Sequence, residues 1–227
     1  MSANLVNLLD KITEGRELPE GCTHWAIRSV HPDLTSSRGY QWSYPGQTAT
    51  APGPIDSGNS DGCPSNVGDG ICAATTWAGM ASGSIPAITL LLVAYNDADV
   101  LGRTESEGKF RASSMRVVEL LDGAKLLREH GTRADLAGAN LTRANFTRAY
   151  LAGANLTRAN LTRTDLTRAY LTGADLAGAN LARANLARAY LAGAYLTRTD
   201  LTRANLTGAN LTRTDLTGAI RPEGFPS

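Results

Sequence analysis

From Ala134 to Gly218 the chain repeats every five residues, reading ADLAG, ANLTR, ANFTR, AYLAG and onward to TDLTG in 17 units with no insertion. No other feature constrains the fold as tightly. A period of five matches neither the 3.6 residues of a helical turn nor the two-residue alternation of a strand, so the chain must turn a corner once per unit. The middle residue is Leu136, Leu141, Phe146, Leu151 and so on to Leu216, and the residue two before it is Ala or Thr. These two positions are expected to point inward and the other three to face water.

The pattern A(D/N)LXX resembles the pentapeptide repeat family, and the resemblance covers about 85 residues. It implies a β-rich chain built on a right-handed quadrilateral β-helix, with one unit per side and about 20 residues per turn. Seventeen units then make about four turns, and stacking at about 4.8 Å gives a rod roughly 20 Å long. The sequence divides into a small α+β domain over 1–131, the repeat coil over 132–220 and a C-terminal cap over 221–227.

Such a turn stacks residues twenty apart into columns. One column is Tyr150, Tyr170, Tyr190 and then Asn210, on the face that also carries Gly153, Gly173 and Gly193. Two neighbouring columns are arginine: Arg143, Arg163, Arg183 and Arg203 on one face, and Arg148, Arg168 and Arg188 on the next. Asp135, Asp175 and Asp215 share another column, with Asp165 and Asp200 elsewhere. Residues 134–218 hold 10 Arg, no Lys and 5 Asp, whereas residues 1–133 hold 11 Lys and Arg against 15 Asp and Glu. The overall net charge of +1 therefore conceals a basic coil behind an acidic first half. Rows of arginine beside aromatic rings are suited to gripping phosphates, a nucleic-acid strand or an acidic protein face. The plainer account is that repeat expansion copied Arg and Tyr without a binding role, and nucleic acid or another polyanion is not the favoured partner on sequence alone.

The first half carries weaker signals. Leu5, Leu8, Leu9 and Ile12 after Ser2 predict an amphipathic helix over 2–15, and strands are predicted at Thr23–Val30, near Gly39–Tyr44, at Ala87–Tyr95 and at Phe110–Leu121. Between Pro45 and Gly70 lie four Pro and six Gly, a loop composition. RGYQWSYPG, GDGICAATTW and ITLLLVAYNDADVLG resemble an uncharacterised N-terminal module found with repeats in bacterial and phage proteins. In a strand, Arg38, Tyr40, Trp42 and Tyr44 would share one side and form an aromatic platform, although packing of a small domain's core is the competing use of those rings.

Catalytic patterns fail on context. Gly58-Asn59-Ser60-Asp61-Gly62 spells G-x-S-x-G but lies in the Pro/Gly loop, without the strand and helix a nucleophile elbow needs. The same stretch lacks calcium ligands at the first and twelfth loop positions, Ser57 and Gly68. Cys22, His24, Cys63 and Cys72 do not follow the spacing of a zinc module, and reduced thiols are expected. His31 and His130 read as structural or solvated, and Asp97, Asp99, Glu105 and Glu107 as a solvated edge.

The expectation is thus a non-enzymatic interaction or structural protein with no cofactor and no metal, an unknown protein partner and no membrane span. The longest apolar run, Ala87 to Tyr95, is too short to cross a bilayer. No secretory pattern opens the chain, which points to the cytoplasm, or to a virion if phage-encoded. Family members that resemble DNA and protect type II topoisomerases suggest an alternative of that kind, although they imply acidic columns. An enzyme or ligand-binding first domain targeted by the coil, and a phage accessory component, are further alternatives. The short tail after Ile220 leaves the coil's last Leu layer partly covered, so a weak homodimer through the C-terminal end is expected.

Overall fold

The computed structural model describes residues 7–30, 32–34, 40–51, 71–75, 89–103 and 109–225. These fall into two compact units, one Leu9–Asp122 and the other Gly123–Ser227 together with Met1–Leu8.

The first unit is an antiparallel sheet of seven strands. They are β1 (His24–Ser29), β2 (Thr48–Thr50), β3 (Ile71–Ala74), β4 (Thr89–Tyr95), β5 (Val100–Arg103), β6 (Lys109–Ala112) and β7 (Ser114–Asp122). They are ordered β2-β7-β4-β1-β3-β6-β5. β4 is the hub because its run TLLLVAY is apolar on both sides of the pleat: Leu90, Leu91, Leu92, Val93 and Ala94 are all fully buried. One face packs Ala26, Leu91, Val93, Tyr95, Phe110, Met115 and Val117 into a core with Trp42. A short helix, α1 (Leu8–Thr13), places Leu9 and Ile12 in buried positions.

Several sequence expectations differ from this sheet. The helix expected over 2–15 is α1 alone among the described residues. The segment Phe110–Leu121 is two strands, because Ser113 leaves the pleat and donates its amide to Asp99 O at 2.9 Å. Among the described residues 40–44 no strand forms. Trp42 N instead bonds Leu34 O, and Tyr44 closes a turn with Gln47. The strands β2, β3 and β5 are only three or four residues long, too short to show a period. Most of the Pro/Gly segment, together with the G-x-S-x-G spelling, the rejected calcium loop, Cys63, His31, Arg38, Glu105 and Glu107, lies outside the described residues.

The second unit opens with helix α2 (Gly123–His130), which the sequence division at 131/132 had assigned to the first domain. From Ala134 every unit as far as that of Asp200 forms one parallel bridge with the chain twenty residues on, as in Asp135 with Asn155 and Tyr150 with Tyr170. The coil thus advances one turn per 20 residues through four columns of bridges. This is a strand-rich, β-helix-type solenoid. Its hydrogen bonding repeats unit by unit. In residues 154–158, Asn155 N donates back to Ala134 O, while Leu156 N and Arg158 N donate forward to Asp175 O and Ala177 O. Ala154 N closes the preceding corner on Leu151 O, and Thr157 N is held by the Asn155 side chain at 3.2 Å. All five amides of the unit are satisfied, as a buried backbone requires. Leu136 through Leu201, with Phe146, are fully buried along the axis. Where Thr replaces the inward Ala, its hydroxyl finds a carbonyl: Thr164 Oγ1 donates to Leu141 O at 3.0 Å.

Helix α2 takes the place of a turn that the coil lacks at its start. Arg128 O accepts the amide of Tyr150 at 3.2 Å, and the Arg128 guanidinium donates to Asn145 O at 2.8 Å. The joint is Gly131. A Cβ there would lie 2.5 Å from Leu127 O, 2.7 Å from Leu151 Cδ2 and 2.9 Å from Tyr150 O, two of them backbone atoms that cannot swing away. Gly131→Ala is therefore expected to destabilise the coil by about 3 kcal/mol through overpacking. Denaturant unfolding of the full chain checks this, and an unchanged midpoint would show that the joint can relax.

Candidate interaction surface

Each corner of the coil is a four-residue turn from Leu to the next Ala or Thr, with the third residue at positive φ, the signature of a type II turn. That third residue is the outermost point of the unit, and it is Arg or Gly throughout. In Arg143, Arg148, Arg163, Arg168, Arg183, Arg188 and Arg203, φ lies between 57° and 61°. Left-handed backbone costs a non-glycine residue roughly 1–2 kcal/mol. The remaining two corners use Gly more often: Gly153, Gly173 and Gly193 on one, and Gly138, Gly178 and Gly218 on the other.

The two arginine columns thus stand on neighbouring corners and border one face of the coil between them. The floor of that face is Asn145, Asp165, Asn185 and Asn205, with Thr147, Thr167, Ala187 and Thr207 beside them. These floor groups are occupied with the backbone. Asp165 accepts both the amide and the hydroxyl of Thr167, and Asn185 Nδ2 donates to Thr167 Oγ1 at 2.8 Å. All seven arginines are exposed, and among the described residues no carboxylate lies within 4.0 Å of any of them. Their stems follow the columns: the glycine corner at Gly208 would place a Cβ 3.4 Å from Arg188 Cγ one turn earlier.

Beyond the second arginine column stands the tyrosine column. The rings of Tyr150 and Tyr170 lie 5.1 Å apart and 8° from parallel, and those of Tyr170 and Tyr190 lie 4.9 Å and 5° apart. A base slipped between two of them would need about twice the 3.4 Å base rise, so the ladder presents ring edges and hydroxyls, not open ring faces. Each Tyr stands where other units carry Asn or Asp, and a phenol cannot hold the amide two residues on. Tyr195, 55% exposed between Asp175 and Asp215, was not singled out in the sequence because it breaks its column. Bonds from the hydroxyl and amide of Thr217 hold the Asp215 carboxyl below the ordinary carboxylate range.

The aromatic platform does not assemble. Trp42 is buried, Tyr40 packs edge-on against it and donates its hydroxyl to Thr50 O at 2.9 Å, and Tyr44 is 65% exposed. The three rings therefore share no face, because the segment is not a strand. Burial also raises the Tyr40 pKa. His24 stacks on Tyr95 at 5.4 Å, and its Nδ1 meets Thr23 Oγ1 at 2.8 Å and Asp97 at 3.4 Å. Cys22 is a free thiol whose pKa is raised chiefly by desolvation. No group of three or more metal-ligating side chains occurs among the described residues. No helix among them is long and apolar enough to cross a membrane.

A solenoid of twenty-residue turns with an Ala/Leu interior defines a class of repeat protein, and comparison with known proteins identifies which. The family described as pentapeptide repeats matches residues 132–168, 164–203 and 184–220, with 8 copies. The chain belongs to this family. Among solved structures, the pentapeptide repeat protein Rfr23 of the cyanobacterium Cyanothece is 39% identical, over 39% of this chain and 60% of its own, with a TM-score of 0.38. A pentapeptide repeat protein of the Arabidopsis thaliana thylakoid lumen is 30% identical, over 43% of this chain and 68% of its own, with a TM-score of 0.41. QnrB1, a plasmid-mediated fluoroquinolone resistance protein, is 21% identical over 38% of this chain and 59% of its own, with a TM-score of 0.26. The chain thus spans about 60% of the length of Rfr23. No curated protein matches it.

The corner geometry makes a stability prediction. Arg163→Gly relieves the left-handed strain but restores chain entropy to the unfolded state, two terms of about 1 kcal/mol and opposite sign. The variant should melt within a few degrees of the parent. A large loss of stability would mean that the arginine stems, not the backbone, hold the corner.

Proposed function

We propose that the protein is a non-enzymatic binding scaffold whose right-handed, four-sided β-helix presents its outer faces to a partner. The observation that carries this reading is the closure of the coil's hydrogen bonding on itself. With the amides satisfied by neighbouring turns and by Asx side chains, the corner arginines have no structural bond to make. The topoisomerase-modulating reading implies continuous acidic columns, whereas Asp135, Asp175 and Asp215 are interrupted by Asn155 and Tyr195. An enzymatic or ligand-binding first domain and a phage accessory role are supported by no arrangement of groups among the described residues of the sheet. A photo-reactive aromatic at Thr172 or Thr202 on the coil, and at Tyr44 on the sheet, tests the scaffold reading in cells. Cross-linked adducts are expected from the coil positions. Adducts from Tyr44 with none along the coil would overturn it.

The C-terminal end favours a second copy as one binding partner. Leu206, Leu211 and Leu216 are half-buried where every earlier Leu of the stack is fully covered, and Ile220 is 60% exposed. Among the described residues, no later turn accepts the forward-pointing amides of Leu206, Leu211 and Leu216. Past this layer Arg221 lies 5.9 Å from the Phe225 ring centre. Sedimentation of the full chain should show a weak dimer that Leu211→Arg abolishes. A monomer at every concentration would show that this Leu layer does not pair.

A further inference from the structure

We infer that the face bordered by the two arginine columns binds the phosphodiester backbone of a nucleic acid without reading its bases. This rests on the scaffold reading above and names the partner chemistry of one face.

Three independent observations converge on it. The first is the position of the charge. Arginine occupies seven of the eight corners that border this face, at φ values where glycine is the less strained residue, whereas the other two corners of the coil turn to glycine at most levels. All four corners share this backbone requirement, so local conformation does not account for the concentration of arginine on two adjacent ones. The second is the choice of cation. Residues 134–218 hold 10 Arg and no Lys. A lysine stem would pack along the column equally well, so stem packing does not explain the choice. What only guanidinium supplies is a planar fork matched to two oxygens of one phosphate. The third is that the guanidiniums are unengaged: among the described residues no carboxylate lies in salt-bridge range of them, and Asp165, the one acid on the floor, is held by Thr167.

The result is two parallel cationic rails, one arginine per turn on each, at the turn spacing of about 4.8 Å. A linear polyanion laid along the rod meets charge at every turn. Base recognition is absent for a geometric reason: the neighbouring tyrosines stack on one another at 4.9–5.1 Å and close their faces to bases. The partner is therefore gripped through its phosphates, whether it is one strand or two.

The test uses the full chain and fluorescence anisotropy with a labelled oligothymidine, a duplex of equal length, and an uncharged peptide nucleic acid of the same sequence. Either phosphodiester probe should bind and the uncharged one should not. With about five phosphate contacts, affinity should fall about 100-fold for the single strand and about 500-fold for the duplex between 50 and 200 mM salt. The combined variant Arg143→Gly, Arg163→Gly, Arg183→Gly and Arg203→Gly keeps the corner geometry, so its melting temperature serves as the folding control. It should lose at least about tenfold in affinity and flatten the salt slope. Arg158→Gly with Arg198→Gly, on a different corner, should lose much less. Equal losses from the two variants, binding to heparin but to neither phosphodiester probe, or no binding at low salt would each overturn the inference. If coil cross-links persist while both phosphodiester probes fail, the scaffold reading stands and this partner does not.

Discussion

The coil depends on one recurring arrangement, the amide hydrogens that leave each turn along the axis to meet carbonyls of the next. A unit cannot exist alone. Three of its five amides bond to the turns on either side and its Leu is buried within the stack, so stability is a property of the stack. Helix α2 serves as the first member of that stack, contributing a carbonyl and a guanidinium where a preceding turn would have stood. Toward the far end, among the described residues, no carbonyl accepts the amides of Leu206, Leu211 and Leu216, and the burial of the Leu layer falls away over these three.

The Asn and Asp of the repeat belong to the same arrangement. Placed directly before the Leu, a short acceptor side chain reaches the amide two residues on, the one amide of the unit that no backbone carbonyl accepts. This explains why the position tolerates either Asn or Asp. What it needs is an oxygen, and charge is incidental. The tyrosines at 150, 170 and 190 give up that bond and gain ring stacking on the residue twenty away in its place.

The coil could be read from sequence because a five-residue period admits one arrangement of inward Leu and Ala, and every structural bond repeats with it. The arginine and tyrosine columns followed by arithmetic alone. What the period did not disclose was the backbone sign at the corner. Nothing in the letters LTR distinguishes an arginine at positive φ from one in an ordinary turn, and the argument about the two rails begins there. The sheet was less legible for the opposite reason. The long apolar β4 announced itself, whereas β2 and β3 are held by partners distant in sequence and look like loop in isolation. The expected aromatic platform failed because alternation predicts a shared face only if the segment is a strand, and around Trp42 tertiary packing decided otherwise.

The corner position has one more property. It is the only place in the unit where two residue types as unlike as glycine and arginine alternate while the interior beneath them stays the same. A change there alters neither the Leu stack nor the amide network, and its effect on folding is small in either direction. The electrostatic surface of such a rod is therefore free to drift, or to be selected, one corner at a time. A lineage can move from a basic to a neutral face without ever passing through an unfolded protein.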